Sequence, residues 1–348
     1  MTLTELSYNV RKSFPFVIIF FLVFMILFYS VKLLLLYSGL NQPAQPVYTD
    51  TKFGKIKTPV ISGSKTSSTT NYILDTIEGQ PTTATLSANI YLVPPITTQL
   101  NYREKVYLIA KMVGFNTETS KYTLSNRTAV FSDDKQRVNI DVANFNFDYE
   151  YSYAKDPLLF TNTQIPSNKD IEEKARDFLK SVGRYPDELS TGKVNIVYHN
   201  YNATANTLFV TKNPAQANVV EVDFYRPDID GFPVVSPEYF TSQNYVIMVF
   251  KQSTFKVIKA QVSFFEKSDD QVGVYPLRNG DAAFADLKAG NGYVISGENK
   301  PTVTIKKMFL GYHDLDSYQN YLEPVYIFLG ENDFVAYVPA VEKDWLEE

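Results

Sequence analysis

Apolar and polar positions follow three rhythms along this chain. The first is one continuous apolar run, Phe14 to Leu36, reading FPFVIIFFLVFMILFYSVKLLLL. At about 1.5 Å per residue a helix of that length covers roughly 34 Å, enough for a hydrocarbon layer of about 30 Å. The run predicts a single transmembrane helix over 14–36, behind a polar tail at 1–13. Phe14, Val17, Phe21, Phe24, Phe28 and Val31 recur at spacings of three and four, so they share one face, a candidate contact face of the anchor toward lipid or a partner helix.

The second rhythm is strict alternation with β-branched and aromatic residues, the signature of half-buried strands. It predicts strands at 72–77, 83–93, 128–131, 137–142, 146–153, 193–201, 207–212 and 219–225. A long hairpin follows, 245–250 and 255–265, turning at Lys251, Gln252 and Ser253, and then strands at 302–312, 321–329 and 334–338.

The third rhythm is the 3.6-residue period of an amphipathic helix. It occurs at 101–113, 167–182 and 281–289. Asn101, Ser167 and Asn279 stand where a cap would accept from the first turn. Gly114, Gly183 and Gly290 stand where each helix would stop. Three times, then, a capped helix is followed by antiparallel strands. The predicted class is α+β: a single N-terminal transmembrane helix and repeated helix-plus-antiparallel-sheet modules at 71–160, 161–266 and 267–348. Between anchor and modules, residues 37–70 hold Pro43, Pro46, Pro59 and the stretch SGSKTSSTT, which reads as a flexible linker.

Composition narrows the function classes. The 348 residues include no cysteine and only His199 and His313, which excludes disulfides and thiolate chemistry and leaves imidazole catalysis little to work with. Lys and Arg total 33 against 38 Asp and Glu. Arg11, Lys12, Lys32 and Glu5 belong to the first 36 residues, leaving 30 against 37 in the rest, a mildly acidic body unsuited to nucleic acid. Arg11 and Lys12 next to the apolar run predict a cytoplasmic tail and an extracytoplasmic body in the cell membrane.

Candidate chemistry is sparse. RPDIDGF, Arg226 to Phe232, offers Asp228, Asp230 and Gly231, a fragment of a calcium loop without its distal ligands. YHDLDSY, Tyr312 to Tyr318, groups His313, Asp314 and Asp316. Both read better as polar turns. No nucleophile elbow, phosphate loop or zinc-helix motif occurs, so no catalytic residue, cofactor or metal site is expected.

AAFADLKAG (Ala282–Gly290), VTIKKMFLGY (Val303–Tyr312), LEPVYIF (Leu322–Phe328) and FVAYVPAV (Phe334–Val341) together resemble the C-terminal module of YycH/YycI-type proteins. That family resemblance implies PepSY-like α/β modules in membrane-anchored regulators of a sensor kinase. FGKIKTPVI (Phe53–Ile61) and YILDTIEG (Tyr72–Gly79) are also similar to uncharacterised anchored proteins of candidate-phyla bacteria. Neither resemblance supplies catalytic residues. The expectation is a non-catalytic protein, held in the lipid bilayer through residues 14–36, that binds another envelope protein. The alternatives are an envelope glycan or ligand-binding module and, further off, a hydrolase with an unrecognised carboxylate pair.

Overall fold

A computed structural model describes residues 3–40, 48–98, 100–252, 254–298 and 300–347. The chain divides into two compact units, Met1–Val47 and Tyr48–Glu348.

The first unit is the helix α1, Leu3–Leu40. Among the described residues no helix is long and apolar enough to cross a membrane. Residues 18–34 of α1, interrupted by Tyr29, Ser30 and Lys32, are not apolar enough to cross a membrane. This corrects the transmembrane reading of 14–36. The single-pass, cell-membrane and extracytoplasmic placements built on that reading fall with it. On the expected contact face, Phe14, Phe21, Phe24, Phe28 and Val31 are all exposed, and the side chain of Val17 lies outside the described residues.

The second unit is dominated by strands. Among the described residues strand outweighs helix, so the fold is mostly β, which corrects the α+β class. The helices are few because only three stretches carry the 3.6-residue period, whereas alternation fills most of the remainder. In the second unit they are α2 (Tyr102–Met112), α3 (Asn168–Ser181), the short α4 (Asp187–Thr191) and α5 (Gly280–Lys288).

Local chemistry explains their ends. At α3, Ser167 Oγ accepts from the Asp170 amide at 3.3 Å, and at α5, Asn279 Oδ1 accepts from the Ala282 amide at 2.8 Å. Asn101 makes no such bond at α2. Its φ of −96° and ψ of 22° lie outside the extended region a cap residue adopts. Gly114, Gly183 and Gly290 follow α2, α3 and α5 with φ of 108°, 72° and 85°, the left-handed conformation that ends a helix.

Among the described residues the largest sheet has nine strands, all antiparallel. Their order is Thr207–Val210, Val194–Asn202, Val219–Phe224, Asn244–Lys251, Thr254–Val262, Phe147–Tyr151, Gln136–Asp141, Thr128–Ser132 and Thr123–Ser125. Strands from both sides of the expected boundary at 160/161 pair inside it, through Lys259 with Glu150 and Val262 with Phe147. One face packs under α2 and α3 as a single core. Val106 and Ile109 of α2 and Ile171 and Leu179 of α3 meet Phe131, Val138, Tyr149, Val222 and Ile258. Each such aliphatic side chain contributes about 1.5–3 kcal/mol on burial.

A second sheet runs Val234–Val235, Thr302–His313, Pro324–Gly330, Val335–Pro339, Tyr293–Ser296 and Ser64–Lys65, with Asn71–Leu74 parallel to Thr302–His313. It packs against α5 through Ala283, Leu287, Tyr326 and Phe328. Residues read as linker enter the sheets as well. Ile56–Lys57 runs parallel to Leu346–Glu347, and Ser64 and Lys65 pair with Val294 and Tyr293. Residues 41–47 of that linker and Ser253 of the hairpin turn lie outside the described residues.

Buried arginine stitches the two large sheets together. The Arg226 side chain is wholly buried; it donates to Glu188 at 2.6 Å, Asp314 at 3.2 Å and the Phe265 carbonyl at 2.7 Å, with the Phe264 ring 4.0 Å away. A guanidinium can satisfy three acceptors in one plane, which a lysine cannot.

Candidate binding cleft

The nine-stranded sheet has a second face, and there the alternation turns polar. On Val219–Phe224, the residues Val220, Val222 and Phe224 point into the helix-covered core. Glu221 and Asp223 therefore occupy the opposite face. Register carries that face across the sheet: Asp223 stands opposite Asn195 and Tyr245, and Glu221 opposite Val197 and Ile247. Tyr245 in turn faces Gln261, and Ile247 faces Lys259. A register shift between Ile247 and Met248 marks a bulge beside these residues.

Above this face opens a cleft of about 990 Å³. Its floor is Glu221, Tyr245, Lys259 and Gln261 of the large sheet, and one wall is the loop with Glu238, Phe240 and Gln243. The other wall, from the second sheet and its connections, brings Ser62, Ile295 and Asp316. The loop is held at both ends. Ser236 Oγ donates to the Thr241 carbonyl at 2.6 Å, Tyr337 donates its hydroxyl to the Ser236 carbonyl at 2.8 Å, and Ser242 Oγ donates to the Phe224 carbonyl at 2.6 Å. Phe240 is left 51% exposed at the rim, edge-on to Tyr239 at 5.0 Å.

Beside the floor sits a titratable row. His199 Nε2 lies 2.7 Å from Glu221 Oε2, and Asn195 Nδ2 donates to Asp223 Oδ2 at 3.4 Å. Asp223 is 1% exposed, and its Oδ1 has no hydrogen-bond partner among the described residues. Burial, reinforced by the charge of Glu221, pushes the Asp223 carboxyl up to about 7. Lys259 Nζ lies 5.5 Å from the centre of the Tyr245 ring, and although burial opposes its charge, Tyr245, Asp148 and Glu150 together hold its pKa above the usual lysine value. On the wall, Gln243 Oε1 is buried and has no hydrogen-bond partner among the described residues.

The residues singled out from the sequence fall elsewhere, with one exception. Asp230 sits at a φ of 54° and accepts from Asn89 at 3.0 Å, from the Tyr91 hydroxyl at 2.8 Å and from the Tyr312 hydroxyl at 3.0 Å. Those neutral donors occupy the carboxylate, and Asp228 pairs instead with Lys193 at 3.2 Å. In the YHDLDSY stretch, Asp314 is held by Arg226 and His313 is 1% exposed, its imidazole pushed down to about 4 by burial. Only Asp316 reaches the cleft, where it accepts from Ser62 Oγ. Among the described residues no group of three His, Cys, Asp or Glu could hold a metal ion. Glu221, Asp223, Tyr245 and Lys259 were not singled out from the sequence. The available signal was an alternating strand, VVEVDF, with two carboxylates on one face.

No family model matches the chain, and no curated protein matches it. Among solved structures the chain is similar to an uncharacterized protein from Eubacterium rectale ATCC 33656, whose crystal structure is at 1.45 Å resolution. Identity is 13% over 74% of this chain and 82% of that one, with a TM-score of 0.34, too low a likeness to carry an argument about fold or function.

Proposed function

We propose that this chain is a non-catalytic binding protein whose working site is the cleft between the two large sheets. The observation that carries the reading is Phe240, a ring half exposed on a loop tied at both ends, above a polar floor with an unpartnered buried carbonyl on its wall. Aromatic and hydrogen-bonding groups held rigidly around a cavity suit recognition of a small polar molecule. Binding rather than catalysis is favoured because Asp223, whose carboxyl burial pushes up to about 7, is too deeply buried to reach a ligand, and Glu221 beside it is engaged by His199.

The test is ligand screening of the intact chain by saturation-transfer NMR against neutral, acidic and amino sugars, amines and short peptides. The expected result is one class binding the parent chain and binding Phe240→Ala at least fivefold more weakly, with both proteins unfolding at the same temperature. Binding that ignores Phe240→Ala would place the site elsewhere.

A protein partner is a second reading. It is supported by the outer strand Thr207–Val210, which among the described residues pairs on one side only and exposes Phe209 at 48% and Val210 at 65%. Crosslinks from a partner onto residues 207–210 would favour it over the cleft.

A further inference from the structure

We propose that a second cavity, sharing no lining residue with the cleft, binds a phosphate group. It measures about 240 Å³. It lies where the strand Leu346–Glu347 and the stretch 339–343 meet the end of α5 and the strand Ser64–Lys65. At about 30 Å³ per molecule it has room for roughly eight waters, and it is smaller than the roughly 300 Å³ at which sites for drug-sized ligands begin. The guest is therefore one small charged group, free or at the end of a larger molecule. Three cations from three separate elements line the cavity, Lys65, Arg278 and Lys343, with Glu347 the one carboxylate of the lining.

One carboxylate outside the lining fixes two of the cations. Asp286 is 7% exposed; it accepts from Arg278 Nη1 at 2.6 Å, from Lys343 Nζ at 2.7 Å and from Asn291 Nδ2 at 2.8 Å. Although burial opposes its charge, Lys343, Asn291 and Arg278 hold its carboxyl below the usual range, so it stays ionised between them. Lys65 Nζ stands 3.7 Å from the centre of the Tyr293 ring, another lining residue. Three positive charges against Asp286 and the exposed Glu347 leave the cavity net positive. Glu342 and Asp344 flank Lys343 in the chain but do not line it. A second observation comes from Arg278, a side chain only 8% exposed. Its Nε donates to the Val341 carbonyl at 2.9 Å and its Nη1 to Asp286, while Nη2 makes no hydrogen bond among the described residues. A guanidinium so nearly buried presents an open edge to the cavity it lines, and that edge suits an anionic acceptor. A phosphate carries oxygens in tetrahedral array, so it can accept from Arg278, Lys343 and Lys65 approaching on different sides. A planar carboxylate matches the guanidinium fork and reaches fewer of the three.

Isothermal titration of the intact chain at pH 7.5 and low salt tests this with three probes: inorganic phosphate, glycerol phosphate and acetate. The expected result is that phosphate, glycerol phosphate or both bind one to one, and that acetate binds at least tenfold more weakly. Lys65→Gln and Lys343→Gln should each weaken phosphate binding about fivefold or more. Lys306→Gln removes the same charge from an exposed lysine paired with Asp75 and Glu331, outside the cavity, and should change it less than twofold. Should Lys343→Gln loosen the fold through Asp286, Lys65→Gln leaves the Asp286 bonds in place and decides the matter, with unfolding temperatures of both variants measured without phosphate. Glycerol phosphate binding as tightly as the inorganic ion identifies a phosphate monoester as the source; the inorganic ion binding more tightly identifies free phosphate. No binding of either at 20 mM, acetate binding as tightly as phosphate, or Lys306→Gln weakening binding as much as Lys65→Gln would each overturn the proposal.

Discussion

Replacing Asp223 by Asn tests how this sheet face is held together. The side chain is 1% exposed, and burial, with Glu221 beside it, raises its carboxyl from an ordinary 3.8 to about 7. The sign follows from linkage. An acid whose native pKa is raised holds its proton longer folded than unfolded, so its contribution is least unfavourable below about 3.8. Stability is then lost as pH rises toward about 7. Each unit of difference corresponds to about 1.4 kcal/mol, so ionising the buried acid costs on the order of 4 kcal/mol above pH 7 and about 1.5 kcal/mol at pH 5. Asn keeps the shape and the bond from Asn195 to the retained oxygen, but it cannot ionise. Urea unfolding of parent and Asp223→Asn should therefore diverge with pH. The variant should gain about 2–3 kcal/mol relative to the parent between pH 5 and pH 8. A difference that stays flat across that range, or that grows toward acid, would show that Asp223 is not the neutral buried acid described above.

Three further outcomes follow from the same structure. His313 is 1% exposed, neither ring nitrogen has a hydrogen-bond partner among the described residues, and its pKa is pushed from 6.5 to about 4. This base must stay neutral to remain folded, so stability falls as pH drops below about 6.5; His313→Phe should remove about 2–3 kcal/mol of that loss between pH 7 and pH 4.5 in urea titrations. Arg226→Ala would strand Asp314, itself 5% exposed, opposite an empty space, and should cost about 3–5 kcal/mol, read as a lowered urea midpoint at pH 7. Leu179→Ala removes a fully buried side chain from the core under α3 and should cost about 2–5 kcal/mol while leaving any ligand affinity at the cleft unchanged.

Local structure was legible in the sequence because local rules set it. Alternation located Val194–Asn202, Val219–Phe224 and the hairpin Asn244–Lys251/Thr254–Val262 to within a few residues, and the glycines after α2, α3 and α5 stop those helices as expected. Three kinds of information were not legible. Asn101 has the right side chain for a cap but the wrong backbone conformation, which composition does not reveal. Strands as short as Ser64–Lys65 carry no periodicity and exist only because Tyr293 and Val294 offer an edge. The pairing of Thr254–Val262 with Phe147–Tyr151 spans about a hundred residues, so reading each helix with the strands behind it gave separate modules where one sheet forms.

The candidate cleft belongs to that last class. Alternation alone shows that Glu221 and Asp223 share a face but not which face meets the helices, since VVEVDF presents apolar and acidic sides with equal clarity. The helices decide it. The apolar face of α3, with Ile171, Ala175, Phe178 and Leu179, is buried in the same core as Val220, Val222 and Phe224, and this leaves the carboxylates on the other side. There the second sheet arrives through Arg226 and Asp314, bringing Asp316 across from Glu221. A residue that the sequence placed in a bland polar loop thus becomes a wall of the cleft. A strand that reads as ordinary core becomes its floor, because hydrophobic burial on one face of a sheet leaves the opposite face free to carry charge.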